Sequence, residues 1–295
     1  DHIVITEDVY GGTYRFVTKV LPRFGITHTF VDFTDLQAVR AAVTPETKLL
    51  YMETPSNPTL GITDIASIVN IAKEVGALTF LDNTFMTPIH QRPLDLGVDV
   101  VIHSATKFLS GHSDIVAGLV VTKDPTLSEQ VYFIQNSFGS CLGVQDSFTL
   151  IQNMKTTAVR FNESARVASV LATFLDNHPL VEKVYYPGLA SHPGADIHAR
   201  QSTSAGAVLS FSLPSYTVAK VFVEAMQIPV FAVSLGGVES ILSYPAKMSH
   251  AAMEPEERAK RGITDGLLRF SVGLENEHDL LEDFAQALEK ALQVK

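Results

Sequence analysis

His103-Ser-Ala-Thr-Lys-Phe-Leu-Ser-Gly-His-Ser-Asp114 follows directly on the apolar run Val98-Asp-Val-Val-Ile102. Lys107 therefore emerges just past what reads as a buried strand. One strand-helix unit upstream, a second apolar run, Ala77-Leu-Thr-Phe-Leu81, ends in Asp82. Open α/β sheets bind ligands beyond the carboxyl ends of their strands. An acid and an amine leaving two such ends can face one bound molecule. Position alone does not decide this, because a lysine after a strand is usually solvated and Ser104 and Thr106 are ordinary turn formers.

Outward from this pair, the first half of the chain alternates β-rich runs with helical patterns. Strands are expected at Ile3–Thr6, Thr27–Phe33, Lys48–Glu53, Ala77–Asp82, Asp99–Ser104 and Gly118–Thr122. Between them, Asp64–Val75 places Ile65, Ile68, Val69, Ala72 and Val75 on one helical face, with Thr63 as N-cap and Gly76 as stop. Strand, helix, strand at this spacing predicts an α/β fold with a mainly parallel sheet. The pattern changes near residues 155–160, where a long helix over Gln145–His178 leads into a smaller α+β region. Strands are expected there at Val184–Tyr186, Ala207–Leu213 and Leu267–Val272, and helices at Tyr216–Met226 and His278–Leu292. In the last helix Leu280, Leu281, Phe284, Leu288 and Leu292 share a side. Two domains follow, residues 1–158 and 159–295.

Composition narrows the function. Of 295 residues, 46% are hydrophobic, which suits a substantial globular core, and no apolar run reaches membrane-spanning length. A formal net charge of -10 without a basic block argues against nucleic acid and for a small-molecule enzyme. Cys141 is the single cysteine, so a reducing, cytoplasmic setting is expected. The chain opens inside a strand pattern, Asp1-His-Ile-Val-Ile-Thr6, without an initiating Met, and a preceding segment is expected.

Four further stretches bear polar groups at strand ends. Tyr10-Gly-Gly-Thr13 sets an aromatic beside flexible backbone, suited to a planar ring or to a plain surface turn. In Glu53-Thr-Pro-Ser-Asn-Pro58 two prolines pin Asn57, either toward a ligand or in a rigid turn. Arg269, inside Leu267-Leu-Arg-Phe-Ser271, needs a partner, whether a substrate carboxylate or a structural ion pair. Ser234-Leu-Gly-Gly-Val-Glu-Ser240 adds backbone amides. Ser104-x-x-Lys107 lacks the partner motifs of a serine acylase, and the ten histidines include no ligand-spaced pair for a metal. For pyridoxal phosphate, by contrast, the set has a definite meaning. A lysine forms the Schiff base, an acid pairs with the pyridinium nitrogen and hydroxyls suit the phosphate.

With these residues assembled, the chain resembles the pyridoxal-phosphate enzymes of cysteine and methionine metabolism, the cystathionine β-lyase and γ-lyase type. The matching segments are 8–15, 53–59, 81–85, 103–114, 234–251 and 267–275, in the family's order. The resemblance implies the aminotransferase-like fold (fold type I), with residues 1–158 as the cofactor-binding domain, and a homotetramer of dimers that share active sites. It assigns the Schiff base to Lys107, the ring nitrogen to Asp82, stacking and proton transfer to Tyr10, phosphate to Ser104 and Thr106, and the ring oxygen to Asn57. Arg269, Ser234, Leu235, Val233 and Glu53 fall to the substrate, a small sulfur amino acid. Family members begin well before Asp1, in a portion carrying a phosphate-binding loop and a Tyr-x-Arg pair, so weak cofactor retention is expected of these residues alone.

Within the family, γ-lyases that act on cystathionine carry an acid where this chain has Val233. Methionine γ-lyases carry a cysteine where it has Gly12. Ser243–His250 looks most like bacterial cystathionine β-lyases. The expectation is a carbon-sulfur lyase converting cystathionine to homocysteine, pyruvate and ammonia. Cystathionine γ-lyase, cystathionine γ-synthase and methionine γ-lyase are the alternatives, and a non-catalytic scaffold is the alternative of a different class.

Overall fold

The computed structural model describes residues 1–248 and 255–294. Six strands form the first sheet: β1 His2–Thr6, β2 Thr27–Val31, β3 Thr47–Glu53, β4 Leu78–Asp82, β5 Val100–Ser104 and β6 Gly118–Thr122. Their order is β2-β1-β3-β4-β5-β6, parallel throughout except that β6 runs antiparallel to β5. Helices α1 Gly11–Lys19, α2 Leu36–Ala42, α3 Ile65–Val75, α4 Thr87–His90 and α5 Pro125–Phe138 punctuate it.

The near-continuous apolar text of β3 is explained by cover on both faces. Leu50 and Met52 pack with Ile65, Ile68 and Ala72 of α3, while Tyr51 packs with Ile5, Val9 and Val17. Gly76 ends α3 at φ 68, donating its N–H to Ala72 and Lys73 carbonyls, as expected. The N-cap is Asp64, not Thr63: its carboxylate accepts the Ser67 N–H at 3.0 Å. Thr63 is held in the preceding loop, its N–H on Thr54 Oγ1 and its carbonyl accepting from Gln201 Nε2.

The single helix expected over 145–178 is two, α6 Val144–Met154 and α7 Thr157–Asp176. At the break the Asn153 carbonyl accepts from Thr156 N–H, Thr156 Oγ1 and Arg160 Nη2, which turns the chain out of the α-helical ladder. α7 then serves two cores. Phe161 and Ala165 pack with Phe85, Phe108 and Leu235, and Val167 through Leu175 pack on the second sheet.

That sheet comprises β7 Lys183–Tyr185, β8 Val208–Ser212, β9 Val230–Phe231, β10 Ile241–Ser243 and β11 Leu267–Ser271, ordered β7-β8-β11-β10-β9. All its pairings are antiparallel except β9 with β10. Helices α8 Ala195–Gln201, α9 Tyr216–Ala225, α10 Pro255–Lys260 and α11 Glu277–Leu292 complete the chain. Leu280, Phe284 and Leu288 of α11 are fully buried, Leu281 is partly so, and Leu292 is exposed. Phe284 meets Phe270 edge-on with ring centroids 4.9 Å apart. Burying a side chain of this size stabilises the fold by about 1.5–3 kcal/mol.

Candidate active site

The site gathers at the carboxyl ends of β3, β4 and β5, where the parallel sheet delivers Glu53, Asp82 and Ser104. Glu53 and Asp82 are register partners on neighbouring strands. Beyond Ser104 the chain closes a tight turn, with Lys107 N–H on the Ser104 carbonyl and Gly111 N–H on the Lys107 carbonyl at 2.7 Å. Lys107 Nζ donates to Ser234 Oγ at 2.6 Å, across 127 residues of sequence.

Ser234 sits at φ 90, a left-handed conformation that a serine adopts only when its surroundings hold it there. Two residues on, Gly236 at φ 78 presses against the lysine turn. A Cβ at this position would lie 2.7 Å from the Phe108 nitrogen and 3.1 Å from the Lys107 carbonyl carbon. Glycine is thus required for the Ser234 loop to reach Lys107.

Arg269, in β11, points two donors at the same place. Nη1 donates to Asn57 Oδ1 at 2.9 Å, and Nη2 donates to the Ser234 carbonyl at 2.6 Å and Ser243 Oγ at 3.1 Å. Its Nε is buried without a partner. All three acceptors are neutral; Arg269 forms no ion pair with a carboxylate among the described residues, although the charge of Glu53 acts on it. Burial lowers its guanidinium to about 10. Burial, then the Arg269 charge, lowers the Lys107 amine.

The carboxylates shift the other way. Burial raises Asp82, opposed by the side-chain and backbone hydrogen bonds from Thr84 to Oδ1 at 2.6 and 3.0 Å. Burial, then the charge of Asp82, pushes Glu53 well above the usual carboxylate range. Glu53 Oε2 accepts the N–H of Tyr10 at 3.0 Å, which fixes the start of α1. Tyr10 itself is 59% exposed.

The structure therefore brings together Lys107, Asp82, Asn57, Arg269, Ser234, Glu53 and Tyr10. Thr106 Oγ1 is engaged with the backbone of Ala117, donating to its carbonyl at 3.3 Å and accepting its N–H at 3.0 Å. The Ser104 hydroxyl has no protein partner among the described residues, and its N–H donates to Thr84 Oγ1. Leu235 packs in the core beside Phe108 and Phe161, and Val233 is exposed. Ser249, His250 and Ala251, the end of the segment 234–251, lie outside the described residues.

Two residues escaped the sequence reading. Thr84 bridges Asp82 to the Ser104 backbone, and Arg160 donates to the carbonyls of Phe108 and Leu109. Among the described residues there is no cluster suited to a metal ion. The donor set fits pyridoxal phosphate instead. An amine with lowered basicity stands at one strand end. A buried carboxylate without a cationic partner among the described residues stands at the next, ready for a protonated ring nitrogen.

Comparison with known proteins agrees with this donor set. The family described as Cys/Met metabolism PLP-dependent enzyme matches residues 1–289. The chain is 63% identical to cystathionine beta-lyase MetC of Bacillus subtilis (strain 168), over 98% of this chain and 74% of that protein. It is 50% identical to cystathionine gamma-lyase of the same organism, over 98% of this chain and 76% of that one. The crystal structure of cystathionine gamma-lyase from Lactobacillus plantarum complexed with L-serine superposes with a TM-score of 0.96 at 46% identity. That match covers 99% of this chain and 77% of the other. The partly buried amine and the acid at adjacent strand ends thus have their explanation: the chain belongs to the Cys/Met metabolism family of pyridoxal-phosphate-dependent enzymes.

Proposed function

We propose that this enzyme is a cystathionine β-lyase, cleaving cystathionine with water to homocysteine, pyruvate and ammonia. The observation that carries the choice is the 63% identity to a β-lyase across nearly the whole chain, against 50% to a γ-lyase of the same organism. Val233 supports it, since an exposed apolar side chain offers no ion pair to the distal ammonium of cystathionine. The γ-lyase reading stays as the second, favoured by the superposition on the Lactobacillus plantarum enzyme.

Bound pyridoxal phosphate supplies an electron sink for charge developing at the substrate Cα. The residues do the rest. Lys107 would hold the cofactor at rest and, once freed, take the Cα proton; burial makes its neutral form more accessible, as a base requires. Asp82 would keep a proton on the ring nitrogen, its carboxylate oriented by Thr84. Arg269, fixed by Asn57 and Ser243, would receive the substrate carboxylate beside Ser234. Tyr10 would lie on the ring and return a proton to the leaving thiolate. Ser104 and Thr106 would meet the phosphate, and Asn57 the ring oxygen.

The same reading divides the chain at 158/159 and makes it a homotetramer. Helix α5 buries none of its side chains, leaving Tyr132, Phe133, Ile134 and Phe138 open, and Phe148 and Ile151 of α6 are exposed nearby in sequence. An apolar surface of this extent is what an association of copies would cover. Among the described residues no helix is long and apolar enough to cross a membrane. The exposed, unpaired Cys141 favours the cytoplasm.

Lys107→Ala is the test of enzyme against scaffold. Loss of the visible cofactor band and of cystathionine turnover is expected. Unchanged turnover in this variant would refute it.

A further inference from the structure

We infer that Arg160 is a positioning residue for Lys107, holding the turn that carries the lysine by donating to the two carbonyls that follow it. The turn satisfies some of its own backbone: Lys107 N–H meets the Ser104 carbonyl, Ser110 N–H that of Ala105, and Gly111 N–H that of Lys107. The carbonyls of Phe108 and Leu109 are taken instead by Arg160, through Nη1 at 2.9 Å and Nη2 at 3.2 Å. The guanidinium also donates to the Asn153 carbonyl, Thr156 Oγ1 and Thr157 Oγ1.

Every one of these acceptors is neutral, and Arg160 is only 8% exposed. A charge buried without a counter-charge is expensive, so its retention calls for a reason. The reason lies in geometry. A planar fork reaches two successive carbonyls of one segment and the end of α6 at once, which a lysine ammonium does not. Gly111 makes room for it: at φ +76, a Cβ there would stand 2.0 Å from Arg160 Nη1.

On its other side the turn is met by the loop that receives Lys107 Nζ. Val238 N–H donates to the Gly111 carbonyl at 2.8 Å, and Gly236 abuts Lys107 and Phe108. Arg160 and this loop clamp the lysine backbone between them. A displacement of about 1 Å in a reacting group lowers rates by up to about 100-fold, so releasing one jaw is felt at the amine.

The inference rests on Lys107 being the reacting amine, and the experiment separates the two. Arg160→Met and Arg160→Lys are prepared beside wild type and Lys107→Ala. With L-cystathionine, kcat and KM are measured on cofactor-loaded protein. On cofactor-free protein, labelling of Lys107 by trinitrobenzenesulfonate is followed against pH by peptide mass spectrometry. Arg160→Met is expected to lower kcat about 10- to 100-fold with KM within about threefold. It should also move the labelling midpoint of Lys107 by about half a unit or more. Arg160→Lys should recover part of both, and it decides the matter alone if Arg160→Met does not fold. A folded Arg160 variant with wild-type kcat and a wild-type labelling profile overturns the inference. Full turnover in Lys107→Ala would instead overturn the reading of the lysine itself.

Discussion

Glu53 and Asp82 end adjacent parallel strands in the same register, so two carboxyl groups share one buried corner of the site. Burial disfavours charge on both; hydrogen bonds from Thr84 oppose this at Asp82. The backbone N–H groups of Tyr10 and Asn57 oppose it at Glu53, which is nevertheless pushed well above the usual carboxylate range. The neutral form toward which Glu53 is pushed favours charge on its neighbour Asp82. The same Glu53 carboxyl accepts the Tyr10 N–H. The ionisation of Asp82, the proposed partner of the ring nitrogen, and the position of Tyr10, the proposed stacking aromatic, are thus joined through one side chain.

The pair has a pH signature. A carboxyl whose folded-state pKa is raised contributes stability at low pH that is lost as pH rises through that value. Wild-type cofactor-free protein should lose thermal stability as pH climbs above the ordinary glutamate range. Glu53→Gln, which still accepts the Tyr10 N–H, should lose less, so the two melting curves diverge upward in pH. Parallel curves for the two proteins would contradict the shared-corner account.

His103 carries the opposite sign. Burial lowers its imidazole from 6.5 to about 4, and its Nδ1 is buried without a partner. Protonation favours the unfolded chain, so its contribution is complete above 6.5 and is lost as pH falls toward about 4. His103→Gln should flatten the melting-temperature profile over that interval. A wild-type slope in the variant would show that another group controls acid lability.

Gly236 and Gly25 separate backbone strain from the site. Both have positive φ, but a Cβ on Gly25 would meet nothing within 4 Å. Gly25→Ala should cost about 1 kcal/mol of stability with kcat unchanged. Gly236→Ala should cost more and lower kcat at least about tenfold, because the added carbon displaces the Lys107 turn. Equal kcat in the two variants would refute the close approach of the Ser234 loop.

Much of the large sheet was legible because its strands are covered on both faces and read as unbroken apolar runs, as Leu49-Leu-Tyr-Met52 does. Helix α5 was not. Its large apolar residues lie exposed, so no core-facing stripe marks it, and only the Asp124 cap and Pro125 announce its start. The break between α6 and α7 was hidden for another reason: it depends on where the Asn153 carbonyl goes, not on a proline or glycine. In the site, residues at strand ends could be read from local text. Thr84 could not, since its bond to Ser104 spans 20 residues, nor Arg160, whose bonds to the lysine turn span about 50. Such pairings come from the packing of whole elements, which periodicity does not encode.

The most direct measurement is the pair of products formed from L-cystathionine with pyridoxal phosphate present. Homocysteine and pyruvate in equal amounts are expected of a β-lyase. Cysteine with 2-oxobutyrate as the dominant pair would contradict it, and would show that Val233 does not set the direction of elimination.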